Sequence, residues 1–199
     1  VVDLDADGGW NEDFTQRGMN ETMEAFFFAE MRTKPVSVAT NASAATSDFT
    51  VADSAGFVEG ALVQARGFRR NRRLHLVNGV PDATHVSTTT PLTNEAVASG
   101  GVLEVVGHQF DAGDLSLELD GGVVHLISAS MDMTTFGLIP GEWVFVGGDE
   151  AVMHFDDVLG FYARIAVGGV LEDRLTFDKT TRAIVDDDGA AKTIQLFFG

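Results

Sequence analysis

Five arginines, Arg66, Arg69, Arg70, Arg72 and Arg73, fall within eight residues and supply over a third of the 13 basic side chains in the chain. Clustered guanidiniums offer planar, bidentate donors that fit either phosphates or carboxylates. A nucleic-acid surface would add stacking aromatics and a wider basic field. Here only Phe68 is close, and 30 acidic residues leave a formal charge of −17. The cluster therefore reads as one side of an interface between subunits, with carboxylates of a neighbouring copy as partners. Asp149, Glu150, Asp156 and Asp157, in an acidic insertion, are the candidates on the other side.

Other residues invite chemistry and fail its spacing rules. Asp3-Leu4-Asp5-Ala6-Asp7-Gly8 opens like a calcium loop of alternating carboxylates, but the bidentate Glu required at the twelfth position is Phe14, and no helix precedes Asp3. A solvated acidic loop is expected there. His75, His85, His108, His125 and His154 stand singly, without helical or alternating strand spacing that would converge them on a metal. They read as ordinary surface or interior residues. Asp156-Asp157 and Asp186-Asp187-Asp188 are adjacent, and neighbours on a strand face opposite ways, so solvated turns are expected rather than an acid/base pair. No nucleophile elbow, phosphate-binding loop or dinucleotide fingerprint occurs. The expectation is a non-enzyme with no catalytic residue, metal or cofactor.

The elements that would carry these residues are mainly β. Residues 1–36 read as an Asp- and Gly-rich loop followed by a helix over Thr22 to Met31, with Glu21 and Glu24 near its start and Pro35 after its end. From Ser37 onward, short Val-, Thr-, Phe- and Ile-rich runs alternate with Gly, Asn and Asp. Strands are expected at 37–40, 49–52, 62–68, 85–89, 102–106, 115–119, 123–129, 143–146, 161–167, 174–178 and 193–197. Asp120-Gly121-Gly122 and Val167-Gly168-Gly169 are the expected tight turns.

An internal echo divides this β region. Phe57-Val58-Glu59-Gly60-Ala61-Leu62-Val63-Gln64-Ala65-Arg66-Gly67 lines up with Leu138-Ile139-Pro140-Gly141-Glu142-Trp143-Val144-Phe145-Val146-Gly147-Gly148. Further on, Val77 to Asp82 lines up with Val167 to Glu172, past an insertion over Asp149 to Gly160. Two related β units are expected, 37–107 and 108–199.

With 45% hydrophobic residues, the chain can bury a sizeable core. No apolar run reaches the ~20 residues that span a bilayer, and the acidic first residues differ from a signal peptide, so an unsecreted soluble protein without membrane contact is expected. The absence of cysteine fits a reducing cytosol. Opening at Val1 without Met and ending at Phe197-Phe198-Gly199, the chain is expected to be the ordered part of a longer polypeptide.

The run from Ser47-Asp48-Phe49-Thr50-Val51 through Phe57 to Phe68 resembles the major tail tube proteins of siphophages, the long-tailed bacteriophages. There a Phe, small polar residues, Gly-Phe, a further Gly, an apolar strand and a second Gly-Phe recur in sequence. The helix before it and the second phrase at Leu138 to Gly148 suit the same family. The Arg-rich loop at Arg69 to Arg73 departs from it, since relatives tend to carry Asn and Gly there. The resemblance implies a β-barrel or sandwich whose copies form hexameric rings, stacked in the virion tail around a channel for DNA. Assembly would take place in the bacterial host cytoplasm, with other tail proteins as further partners. An acidic lumen would let phage DNA pass without binding. Edge strands of one subunit would pair with the next, and Phe26 to Phe28, Phe197 and Phe198 would cover interfaces.

The alternative class is a β-sandwich binding module, an adhesin or carbohydrate-binding domain. Such modules present several exposed Trp or Tyr residues, and this chain has only Trp10, Trp143 and Tyr162. A hydrolase with paired carboxylates ranks last, for want of a spaced pair.

Overall fold

The computed structural model describes residues 34–147, 155, 160–190 and 192–198, and the helix expected over Thr22 to Met31 lies outside them. Twelve strands follow in order: β1 (Val36–Ser43), β2 (Asp48–Val51), β3 (Ala61–Arg66), β4 (Leu74–Asp82), β5 (His85–Thr88), β6 (Glu95–Phe110), β7 (Leu115–Asp120), β8 (Val123–Ser128), β9 (Trp143–Gly147), β10 (Phe161–Val170), β11 (Arg174–Thr180) and β12 (Ile194–Phe198). The chain is mainly β, as its alternating runs require, and the described residues include a short 3-10 turn at Met133–Phe136.

The strands lie in the order β1-β2-β5-β4-β3-β6-β12-β9-β10-β11-β8-β7, and β1 also pairs with β6. That last pairing closes the first six strands into a β-barrel, with the remaining strands continuing from it. Read from its other end, the second half runs β7-β8-β11-β10-β9-β12. Each strand of the first six therefore has a counterpart six strands later, in the same place in the order. The pairing of β6 with β12 joins the two units: Ile194 faces Phe110 and Phe197 faces Gly107.

The two phrases of the sequence echo fall on turns at corresponding places in this order. Gly60 and Gly141 both have positive φ, 83° and 88°, and both sit at the third position of a turn that aims the chain into a strand. In the first copy Ala61 N–H donates to Val58 O at 3.1 Å; in the second Glu142 N–H donates to Ile139 O at 3.2 Å. Left-handed backbone at that position favours Gly, and Pro140 suits the position before it. The glycine N–H groups then tie each turn to the following hairpin, Gly60 to Val77 O at 3.0 Å and Gly141 to Ile165 O at 2.8 Å.

Every strand of the first barrel has at least two neighbours, and β6 has three (β1, β3 and β12), so the open edges expected for pairing between subunits are absent from it. Closure removes edges that would otherwise template another chain. In the second unit, the outer side of β7 is covered by the chain's own return: Leu117 and Asp187 exchange both backbone hydrogen bonds, at 2.8 and 2.9 Å.

Inward positions of the barrel alternate with outward ones, and several are small: Ala39, Ala42, Ala61 and Ala65 make room for Phe49, Phe68, Val63 and Leu103. The Phe49 and Phe68 rings meet edge to face at 5.3 Å. At the junction of the units, His108 and Phe110 of β6 pack with Phe136 of the 3-10 turn, and Phe136 packs on Phe198 of β12.

Two sequence expectations need correction. Asp120-Gly121-Gly122 does turn the chain, between β7 and β8, but Gly168-Gly169 lies inside β10. Gly168, at φ 68°, sits where the β10–β11 register shifts between Ile165 and Val170. It makes a bulge, and the turn falls at residues 171–173. Phe198, expected at an interface, is buried in the core.

Candidate subunit interface

The arginine cluster lies at the end of β3 and in the connection to β4. Its backbone is held by Glu95, the first residue of β6, the strand that pairs with β3. The Glu95 carboxylate accepts from Arg69 N–H at 2.5 Å, Arg70 N–H at 2.9 Å and Asn71 Nδ2 at 3.0 Å. Those donors, Arg69 N–H foremost, hold its pKa below the ordinary carboxylate value. Asn71 is buried beneath the loop and links it to Thr93 twice, Nδ2 to Thr93 O at 2.8 Å and Thr93 N–H to Oδ1 at 2.9 Å. Phe68 anchors the other side in the core. The loop is a fixed platform whose frame uses backbone and Asn71, leaving guanidiniums outside.

The five arginines divide by role. Arg66 pairs with Glu104, which Lys34 also approaches at 3.4 Å. Arg73 donates from Nη2 to Pro91 O at 2.9 Å. Arg69, Arg70 and Arg72 are exposed, and among the described residues no carboxylate lies within ion-pair distance of their guanidiniums. An open hollow of about 600 Å³ lies beside Arg69, Arg70, Asn94 and Glu95. Asp149, Glu150, Asp156 and Asp157 lie outside the described residues, as does the acidic loop at Asp3 to Gly8. The chain order places the first four in the connection from β9 to β10, which holds the same place in the strand order as the β3–β4 connection that carries the arginines.

The histidines are dispersed, and no group of three or more His, Asp or Glu capable of holding a metal occurs among the described residues. His75 and His108 are buried, each with an unpartnered Nδ1. Burial pushes the His108 imidazole down to about 4, against the pull of Asp114 and Asp111. His75 is lowered by burial too, although its Nε2 meets Asn71 O at 2.8 Å.

The triplet Asp186 to Asp188 corrects the expectation of a solvated turn. Asp187 is buried and receives Lys192 Nζ at 2.6 and 2.7 Å and Gly189 N–H at 2.8 Å. Asp186 accepts from Leu119 N–H at 2.6 Å, so these carboxylates fasten the return segment to β7.

Trp143, Tyr162 and Phe197, read separately in the sequence, come together with Phe145 in an aromatic face on the solvent side of β9, β10 and β12. Register puts Tyr162 and Phe197 on either side of Phe145. The ring centroids are 5.0 and 6.2 Å from that of Phe145. Trp143 lies two residues before Phe145 on the same side of β9; it is 46% exposed and Tyr162 55% exposed. The alternation Trp-Val-Phe-Val held the signal, since Val144 and Val146 are buried and their neighbours must face away.

No protein-family model, curated protein or solved structure matches this chain. The fold by itself defines a class, a mainly β chain built on a closed six-stranded barrel with further strands continuing from it.

Proposed function

We propose that this chain is a structural virion protein, a tail tube subunit whose copies form stacked hexameric rings around a channel for DNA. The observation that carries this reading is the charge of the two duplicated connections. Residues 67–73 hold Arg69, Arg70, Arg72 and Arg73 with no acid; residues 148–160 hold Asp149, Glu150, Asp156 and Asp157 with no Lys or Arg. Two equivalent positions of opposite charge on one chain suit a head-to-tail contact, which closes into rings or propagates into filaments. Because the barrel has no free edge, that contact runs through side chains and loops. The net charge of −17 supports passage of DNA without adhesion.

Exchanging Arg70→Glu and Arg72→Glu tests the reading at low salt, where exposed charges act most strongly. Loss of ring or stack formation is expected, partly mimicked in the unaltered protein by raising salt. Undiminished assembly of the variant counts against it.

One observation favours a second reading, the carbohydrate-binding module: Trp143 and Tyr162 share one exposed face. Retention of the protein on a glycan column, with a strictly monomeric particle, would select that reading.

A further inference from the structure

We infer that the face formed by Trp143, Phe145, Tyr162 and Phe197 is the seat for the arginine loop of a second copy of this chain; the inference rests on the self-assembling reading above and adds to its acidic connection the exposed face of β9 and β10, the strands that connection joins. The face carries an open hollow of about 390 Å³, lined also by Val106 and Phe198 and, among the described residues, by no charged side chain. Contiguous aromatic surface on the water side of a sheet marks an interaction site. What it receives must suit π faces, which attract cations and which guanidinium planes stack upon. Arg69, Arg70 and Arg72 present such groups within four residues, without partners among the described residues and on a loop already fixed by Glu95 and Asn71.

Charge and distance make the partner a second copy. Two chains of net charge −17 repel over most of their surfaces, so a cationic loop meeting an uncharged hollow is where they approach without like charges opposed. Within one chain the two patches lie apart. Glu95, which holds the loop, and Gly107, which pairs with Phe197, are at opposite ends of the barrel stretch of β6, an extended length of at most about 40 Å that the bulge between Ala96 and Gly101 shortens. Each copy thus offers one loop and one face, and the contact is heterologous.

Two variants separate the halves of this contact: a loop variant with Arg69→Ser, Arg70→Ser and Arg72→Ser, and a face variant with Trp143→Thr and Tyr162→Thr. Both face residues are about half exposed, so circular dichroism and melting should match the unaltered chain; Tyr162→Ser alone serves if the double exchange melts early. In sedimentation at low salt each variant should associate on the order of tenfold or more weakly than the unaltered protein. An equimolar mixture retains one intact loop and one intact face, and should give a species of two chains and nothing larger. A face variant that assembles undiminished, or a mixture that stays monomeric, overturns the contact while leaving self-assembly standing. Glycan retention that the face variant abolishes also overturns it. An unaltered chain that never associates defeats the assembly reading itself, and this contact with it.

Discussion

Lowering the pH should unfold this protein through His108, and the loss can be worked from its surroundings. The imidazole is buried against Phe110 and Phe136, and burial holds its pKa at about 4 against an ordinary 6.5. Between those values the unfolded chain binds a proton that the folded chain refuses, so stability rises with pH across this window and falls as pH drops through it. Integrated over the titration, the loss is about 2 kcal/mol between pH 7 and pH 5 and about 3 kcal/mol by pH 4. Urea denaturation followed by circular dichroism gives the assay. With a slope of about 2 kcal/mol per molar, the midpoint should fall by about 1 M between pH 7 and pH 5. His108→Leu removes the titrating group while keeping an apolar side chain beside Phe110. It should lose about 2 kcal/mol less than the unaltered chain over the same interval. Equal losses in the two proteins would refute the assignment.

Gly189→Ala should be severely destabilising, by more than about 3 kcal/mol, because φ there is 66° and an added Cβ would run into Leu115 O; a melting curve close to that of the unaltered chain would contradict this. Asp187→Ala removes the buried acceptor of Lys192 and of Gly189 N–H, and should cost about 3 kcal/mol in urea denaturation at neutral pH. Glu95→Ala should release the loop that holds Arg69 to Arg73 without unfolding the barrel, so trypsin should cut there faster while global melting barely moves. The hydrogen bonds that depress the Glu95 pKa stabilise the ionised form, so loop protection should be full above about pH 4.5 and fade as pH falls below it.

Much of the β framework was legible because alternation and turn chemistry are local. Asp120-Gly121-Gly122 announced the β7–β8 turn, and the Gly before each apolar run announced the turns that lead into β3 and β9. The strand β4 was missed because Asn78, Gly79 and Pro81 break its apolar pattern, and its pairing with β5 is irregular at those residues. Only the middle of the 16-residue β6 was read, since Ala96 to Gly101 is nearly all small. Gly101 is small for a tertiary reason: a Cβ there would press on the Phe68 ring. The arginine cluster was visible, yet its division was not. Arg66 is taken by Glu104, and the loop frame is set by Glu95 and Thr93, all far away in sequence. The aromatic face was obscured for a related reason, since Trp143, Tyr162 and Phe197 come together only through strand register.

Electron microscopy of the purified full-length protein at high concentration tests the central claim most directly. The account predicts rings or hollow stacked tubes; uniform single-chain particles at every concentration would contradict it.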